Sequence, residues 1–99
     1  MHGEPLQRTF TVANPHGLHM RPLQEFVEAA LKFQSDVFVS REGGEKLNGK
    51  SILWLMGLAA EQGTRLILEV NGPDAAEAMS TLLDVLAKTA AEKSEYDGN

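Results

Sequence analysis

Arg8-Thr9-Phe10-Thr11-Val12 alternates polar and apolar side chains and is rich in β-branched and aromatic residues, the pattern of a strand buried on one face. From Met20 or Arg21 the period changes. Apolar residues recur at Leu23, Phe26, Val27, Ala30 and Leu31, with Glu25, Glu28 and Lys32 toward solvent, which predicts an amphipathic helix. Pro22 falls in its first turn, where a missing N–H costs nothing. Asp36-Val37-Phe38-Val39-Ser40 predicts a second strand, and Glu42-Gly43-Gly44-Glu45 a hairpin turn into a short third strand near Lys46-Leu47. Ser51 is placed as the N-cap of a short helix over 52–60, ended by Gln62-Gly63. Arg65-Leu66-Ile67-Leu68-Glu69-Val70 predicts the fourth strand, and Asn71-Gly72-Pro73 breaks the chain before the last helix. Asp74 with Glu77 three residues on resembles a capping box, and Ala75, Met79, Leu82, Leu83, Leu86 and Ala90 form the apolar stripe behind it. The polar segment 92–99 is expected to fray.

Strand, helix, two strands, helix, strand, helix is the order of an α+β layer with helices on one face of an antiparallel sheet. Periodicity does not fix the strand order, and a ferredoxin-like topology would satisfy the same two-layer logic. With 99 residues and 42% hydrophobic content, one small domain with a modest core is expected. There is no cysteine, so neither disulfides nor a thiolate metal site can support the fold, which suits a reducing compartment. The longest apolar run, 52–60, is far shorter than the roughly 20 residues of a membrane span, and residues 1–7 carry no signal-peptide core. A cytoplasmic protein without membrane insertion is therefore expected. Nine Lys and Arg against 14 Asp and Glu leave a net charge of −5, and no basic patch offers itself to a nucleic acid.

Candidate chemistry concentrates in Asn14-Pro15-His16-Gly17-Leu18-His19-Met20-Arg21-Pro22. His19 stands where the last helix-free residue should be, and a helix start attracts phosphate, because its first N–H groups lack internal partners and the peptide dipoles converge there. Neutral imidazole is a good nucleophile near neutral pH. Arg21 could hold phosphate oxygens with its planar fork, which would explain a cation at a helix end where the dipole disfavours it. Asn14 and Gly17 shape the loop, whereas His16 reads as an exposed loop residue and His2 as part of a mobile terminus. Ordinary turn-and-start chemistry would use many of the same residues. No second acid/base group or metal-ligand cluster accompanies the histidine, which argues against an autonomous enzyme and against any bound metal or other cofactor.

Gly17-Leu18-His19-Met20-Arg21-Pro22 resembles the Gly-Leu-His-Ala-Arg-Pro signature of HPr, the histidine-containing phosphocarrier family of the bacterial sugar phosphotransferase system. Leu47-Asn48-Gly49-Lys50-Ser51-Ile52-Leu53 resembles the family's second signature, and the likeness runs over 7–91. The resemblance implies an open-faced sandwich, a four-stranded antiparallel sheet covered by three helices. It implies a monomeric carrier whose His19 takes phosphate from phosphoenolpyruvate through Enzyme I and passes it to a IIA domain. It also implies that Arg21 stabilises the phosphate, that Gly17 and Met20 form the helix start beneath it, and that Ser51 is open to an HPr kinase/phosphorylase. Even without regulation, a serine N-cap is worth about 1 kcal/mol.

The run Ile52-Leu53-Trp54-Leu55-Met56 holds more apolar residues than one short helix can bury, so some are expected to face outward. Met20, Leu23, Ile52, Leu53 and Met56 are the expected partner-binding set. Several positions depart from the family pattern. Met20 replaces the usual alanine, Leu23 and Trp54 replace small residues, and Glu25 and Glu28 place acidic groups where an acidic Enzyme I surface would approach. A regulatory HPr-like protein is the alternative, serving a nitrogen-type phosphorelay or binding partners through phosphorylated Ser51.

Overall fold

The computed structural model describes residues 4–92. The elements follow the expected order, β1 Leu6–Thr11, α1 Met20–Ala30, β2 Asp36–Arg41, β3 Leu47–Asn48, α2 Ile52–Met56, β4 Arg65–Asn71 and α3 Ala75–Ala91. All strand pairs are antiparallel, in the order β1-β4-β2-β3, which resolves the arrangement that periodicity left open. His2 and the expected frayed segment beyond Glu92 lie outside the described residues.

The period of two along β4 explains its central position. Leu66, Leu68 and Val70 point to one face and are fully buried, joined there by Val37 and Val39 of β2. Leu23 and Phe26 of α1, Leu55 of α2, and Ala78, Met79 and Leu82 of α3 close over that face. Each large side chain removed from water stabilises the fold by roughly 1.5–3 kcal/mol. On the opposite face Gln7 donates to Glu69 across the β1–β4 pair at 2.8 Å, and Lys46 reaches the same carboxylate at 3.0 Å. The Gln7 hydrogen bond, then the Lys46 ammonium, hold the Glu69 carboxyl below its usual range.

Three local expectations are corrected. The second helix ends at Met56 and does not continue to 60, because Gly57 to Ala59 turn back through N–H bonds to Trp54, Leu55 and Met56, dropping Leu58 and Ala60 into the core. Asp74 occupies the N-cap position of α3 without capping it. Its carboxylate instead accepts from the N–H groups of Gln34 and Ser35, both at 2.9 Å, and from the Ser35 hydroxyl at 2.5 Å, tying the α1–β2 turn to the start of α3. Leu31 is not on the buried stripe of α1; it lies just past the last helical turn and is exposed.

Candidate functional site

The histidine loop is fixed at both ends by backbone pairing with the segment before β4. Val12 donates to Thr64 at 2.9 Å and accepts from Gly63 at 2.8 Å, and Leu18 donates to Ala60 at 2.9 Å. Between these anchors Gly17 donates to Asn14 at 2.9 Å, closing a tight turn over Pro15 and His16. Gly17 has φ +73°, and a Cβ there would run into the Ala60 carbonyl oxygen, so only glycine fits. Ala60 is presented by Ala59, itself in the left-handed region at φ +46°.

This path delivers His19 to the N-cap of α1 in an extended conformation, φ −92° and ψ −170°, with its carbonyl accepting the first helical bond from Leu23 at 3.1 Å. Its side chain makes no capping bond and is exposed, so the imidazole is not consumed in building the helix. Pro22 contributes no N–H, leaving those of His19, Met20 and Arg21 as the donors without an intrahelical acceptor. The aligned dipoles of an 11-residue helix end beside the ring.

His19 opens onto a cleft of about 30 Å³ whose walls also include Arg21, Pro22, Asn14, His16, Thr89 and Glu92. That volume is on the scale of one small group and cannot enclose a sugar. Arg21 leans toward Glu25 and Glu92, 3.8 Å from each, and Lys88 reaches Glu25 at 3.8 Å. Ion pairs this exposed are worth about 0–1 kcal/mol, so an incoming dianion can redirect the guanidinium at little cost.

Ser51 caps α2, its Oγ accepting from the Trp54 N–H at 3.3 Å. Leu53 and Trp54 are 79% and 57% exposed, with Met56 and Met20 also exposed, so the expected outward apolar surface is present. Ile52 is half-buried against the core. Leu23 is the correction within this set: at 3% exposure it lies in the core, where it lines a small apolar gap with Leu18, Leu55 and Leu58 and joins the base of the histidine loop to α2.

Thr89 and Glu92 complete the cleft and were not singled out by sequence, while His16, expected only as an exposed loop residue, lines it as well. Thr89 had a signal, a hydroxyl on the apolar stripe three residues after Leu86 and seven after Leu82. Glu92 had none, since it follows the last helical residue. Among the described residues no helix is long and apolar enough to cross a membrane, and no group of three His, Cys, Asp or Glu could hold a metal ion.

Residues 6–88 match the family model described as PTS HPr component phosphorylation site. The chain is 42% identical over 81 residues to the phosphocarrier protein HPr of Neisseria meningitidis serogroup A, covering 82% of this chain and 90% of that one. It is also 42% identical over 77 residues to the HPr-like protein Crh of Bacillus subtilis, covering 78% and 89%. Among solved structures, HPr-C-His from Thermoanaerobacter tengcongensis superposes with a TM-score of 0.82 at 35% identity, over 90% of this chain and 99% of that one. An HPr from Bacillus anthracis gives 0.77 at 32% identity, over 84% and 98%. With this sheet order and this length of matched sequence, the chain belongs to the HPr family of phosphocarrier proteins of the phosphotransferase system.

Proposed function

We propose that His19 is the residue that carries the phosphoryl group, accepting it from phospho-Enzyme I and passing it to a IIA domain in the cytoplasm. A ring nitrogen of His19 attacks phosphorus as the bond from phosphorus to the donor atom breaks, and that donor atom leaves with the electron pair. The second transfer runs the same exchange toward the acceptor. A phosphoramidate suits a carrier because its nitrogen becomes a good leaving group on protonation. The helix terminus and Arg21 stabilise the added charge without forming a bond that would trap it. The observation that carries this reading is the exposed imidazole at the N-cap of α1, held by the loop yet unused in capping. The chain works as a monomer, is a substrate of its partners and turns over nothing alone.

Met20, Leu53, Trp54 and Met56 form the docking surface, with Ile52 at its margin and Leu23 supporting it from beneath. A phosphate on Ser51, at the start of α2, would add about two negative charges beside that surface. This supports a second reading, a regulatory HPr-like protein controlled through Ser51 by an HPr kinase/phosphorylase, in line with the similarity to Crh. A two-step relay assay separates the two. The isolated phospho-protein, made with Enzyme I and phosphoenolpyruvate, should lose its phosphate to an added IIA domain within the assay; a phospho-protein inert toward every IIA domain tried would favour the regulatory role.

A further inference from the structure

We propose that His16 is a second phosphoryl-binding residue, its imidazole N–H donating to an oxygen of the phosphoryl group on His19. The inference rests on the reading of His19 as the acceptor. In sequence His16 belongs to a loop, three residues ahead of the helix cap. The turn closed by the bond from Gly17 to Asn14, with the left-handed Gly17 behind it, folds that loop back over the start of α1. The two imidazole rings consequently face one another edge to face, with centroids 6.3 Å apart and planes at 70°. Both rings line the same cleft and both residues are exposed to it.

That separation is too great for the rings to hydrogen-bond each other, and short enough for one tetrahedral group bound to His19 to be reached by an N–H of His16 at a hydrogen-bond distance of about 2.8 Å. The ring nitrogen that faces the group donates when it carries the proton, as it does in one neutral tautomer and in the protonated ring, where both nitrogens are donors.

The charges around the cleft make such a donor useful. Arg21 is the only lysine or arginine lining it among the described residues, and its charge is shared between Glu25 on α1 and Glu92 at the end of α3. Lys88 on α3 is directed to Glu25. A phosphoryl group brings close to two further negative charges into this balance. Hydrogen bonds to an ionised acceptor are roughly twice as strong as neutral ones, so a donor from His16 offsets part of what Arg21 cannot.

The test is a phosphorus NMR titration of the phospho-protein, made with Enzyme I and phosphoenolpyruvate, for the wild type, His16→Leu and His16→Asn. An N–H donor favours the dianion and so lowers the pH at which the phosphoryl group takes up its proton. The midpoint is expected to rise by about half a pH unit in His16→Leu, roughly a threefold change in proton affinity, with His16→Asn between the two. Nitrogen resonances of the His16 ring should also move on phosphorylation of the wild type. Superimposable titrations with unmoved His16 signals would overturn the proposal while leaving His19 as the carrier. A wild-type protein that never acquires a phosphorus signal, beside a control HPr that does, would overturn the His19 reading and this one with it.

Discussion

Asn14 and Thr89 are 75 residues apart in sequence and meet beneath the histidine loop, the Asn14 amide donating to the Thr89 hydroxyl at 3.5 Å in a buried site. The hydroxyl donates in turn to the Leu86 carbonyl at 3.1 Å, so its lone pair is left for Asn14. Through Asn14, whose carbonyl holds the Gly17 N–H, the last helix is connected to the turn that carries the histidines.

Thr89→Val keeps the shape and removes the acceptor, leaving the buried Asn14 amide without that partner. A loss of about 1 kcal/mol in urea unfolding is expected. Initial rates of phosphoryl acceptance should fall as well. Asn14→Ala should act on the same unit, so the double variant should lose less than the sum of the single losses.

Gly17→Ala should be more severe. The substitution combines a left-handed backbone with a collision at the Ala60 carbonyl, and a loss of about 1–3 kcal/mol is expected. Ala59→Gly relieves the neighbouring left-handed residue, and should raise the unfolding midpoint modestly.

At Ser51 the structural and regulatory roles separate by substitution. Ser51→Ala removes the acceptor for the Trp54 N–H and should lower stability by about 1 kcal/mol. Ser51→Asp keeps a good cap and adds one negative charge beside Leu53 and Trp54. Its thermal midpoint should match the wild type while its rate of phosphorylation by Enzyme I falls, most clearly at low salt.

Asp74 links stability to pH. The Ser35 hydroxyl, then the Gln34 N–H, hold its carboxyl below the ordinary value of 3.8. Folding thus favours the ionised form. The resulting stability is present above 3.8 and is lost as pH falls from there through the lowered folded value. Between pH 5 and pH 2, stability measured by urea unfolding should fall less steeply for Asp74→Asn than for the wild type; parallel curves would remove Asp74 from the acid response.

Much of this was legible where a residue's neighbours along the chain decide its state. The strands followed from alternation, the start of α1 from His19 and Pro22, and the cap of α2 from Ser51, because each depends on backbone groups within a few residues. Asp74 was misread because its partners, Gln34 and Ser35, are some 40 positions away, and a carboxylate ahead of a helix looks like a cap whichever donors it finds. Leu23 lies on the apolar stripe of α1, and burial against Leu55 and Leu58 outweighed its nearness to the site. The end of α2 was hidden because alanine gives no signal for a left-handed turn, and Ala59 is held there by tertiary contacts. The placement of His16 against His19 needed the turn geometry, which spacing alone does not supply.

The central claim is that His19 bears a labile phosphoryl group. It is tested most directly by incubating the protein with Enzyme I and phosphoenolpyruvate and following intact mass, wild type beside His19→Ala, before and after brief acid treatment. One phosphate on the wild type, lost in acid and absent from the variant, is the predicted result. A phosphate that survives acid, or that His19→Ala acquires equally well, would contradict it.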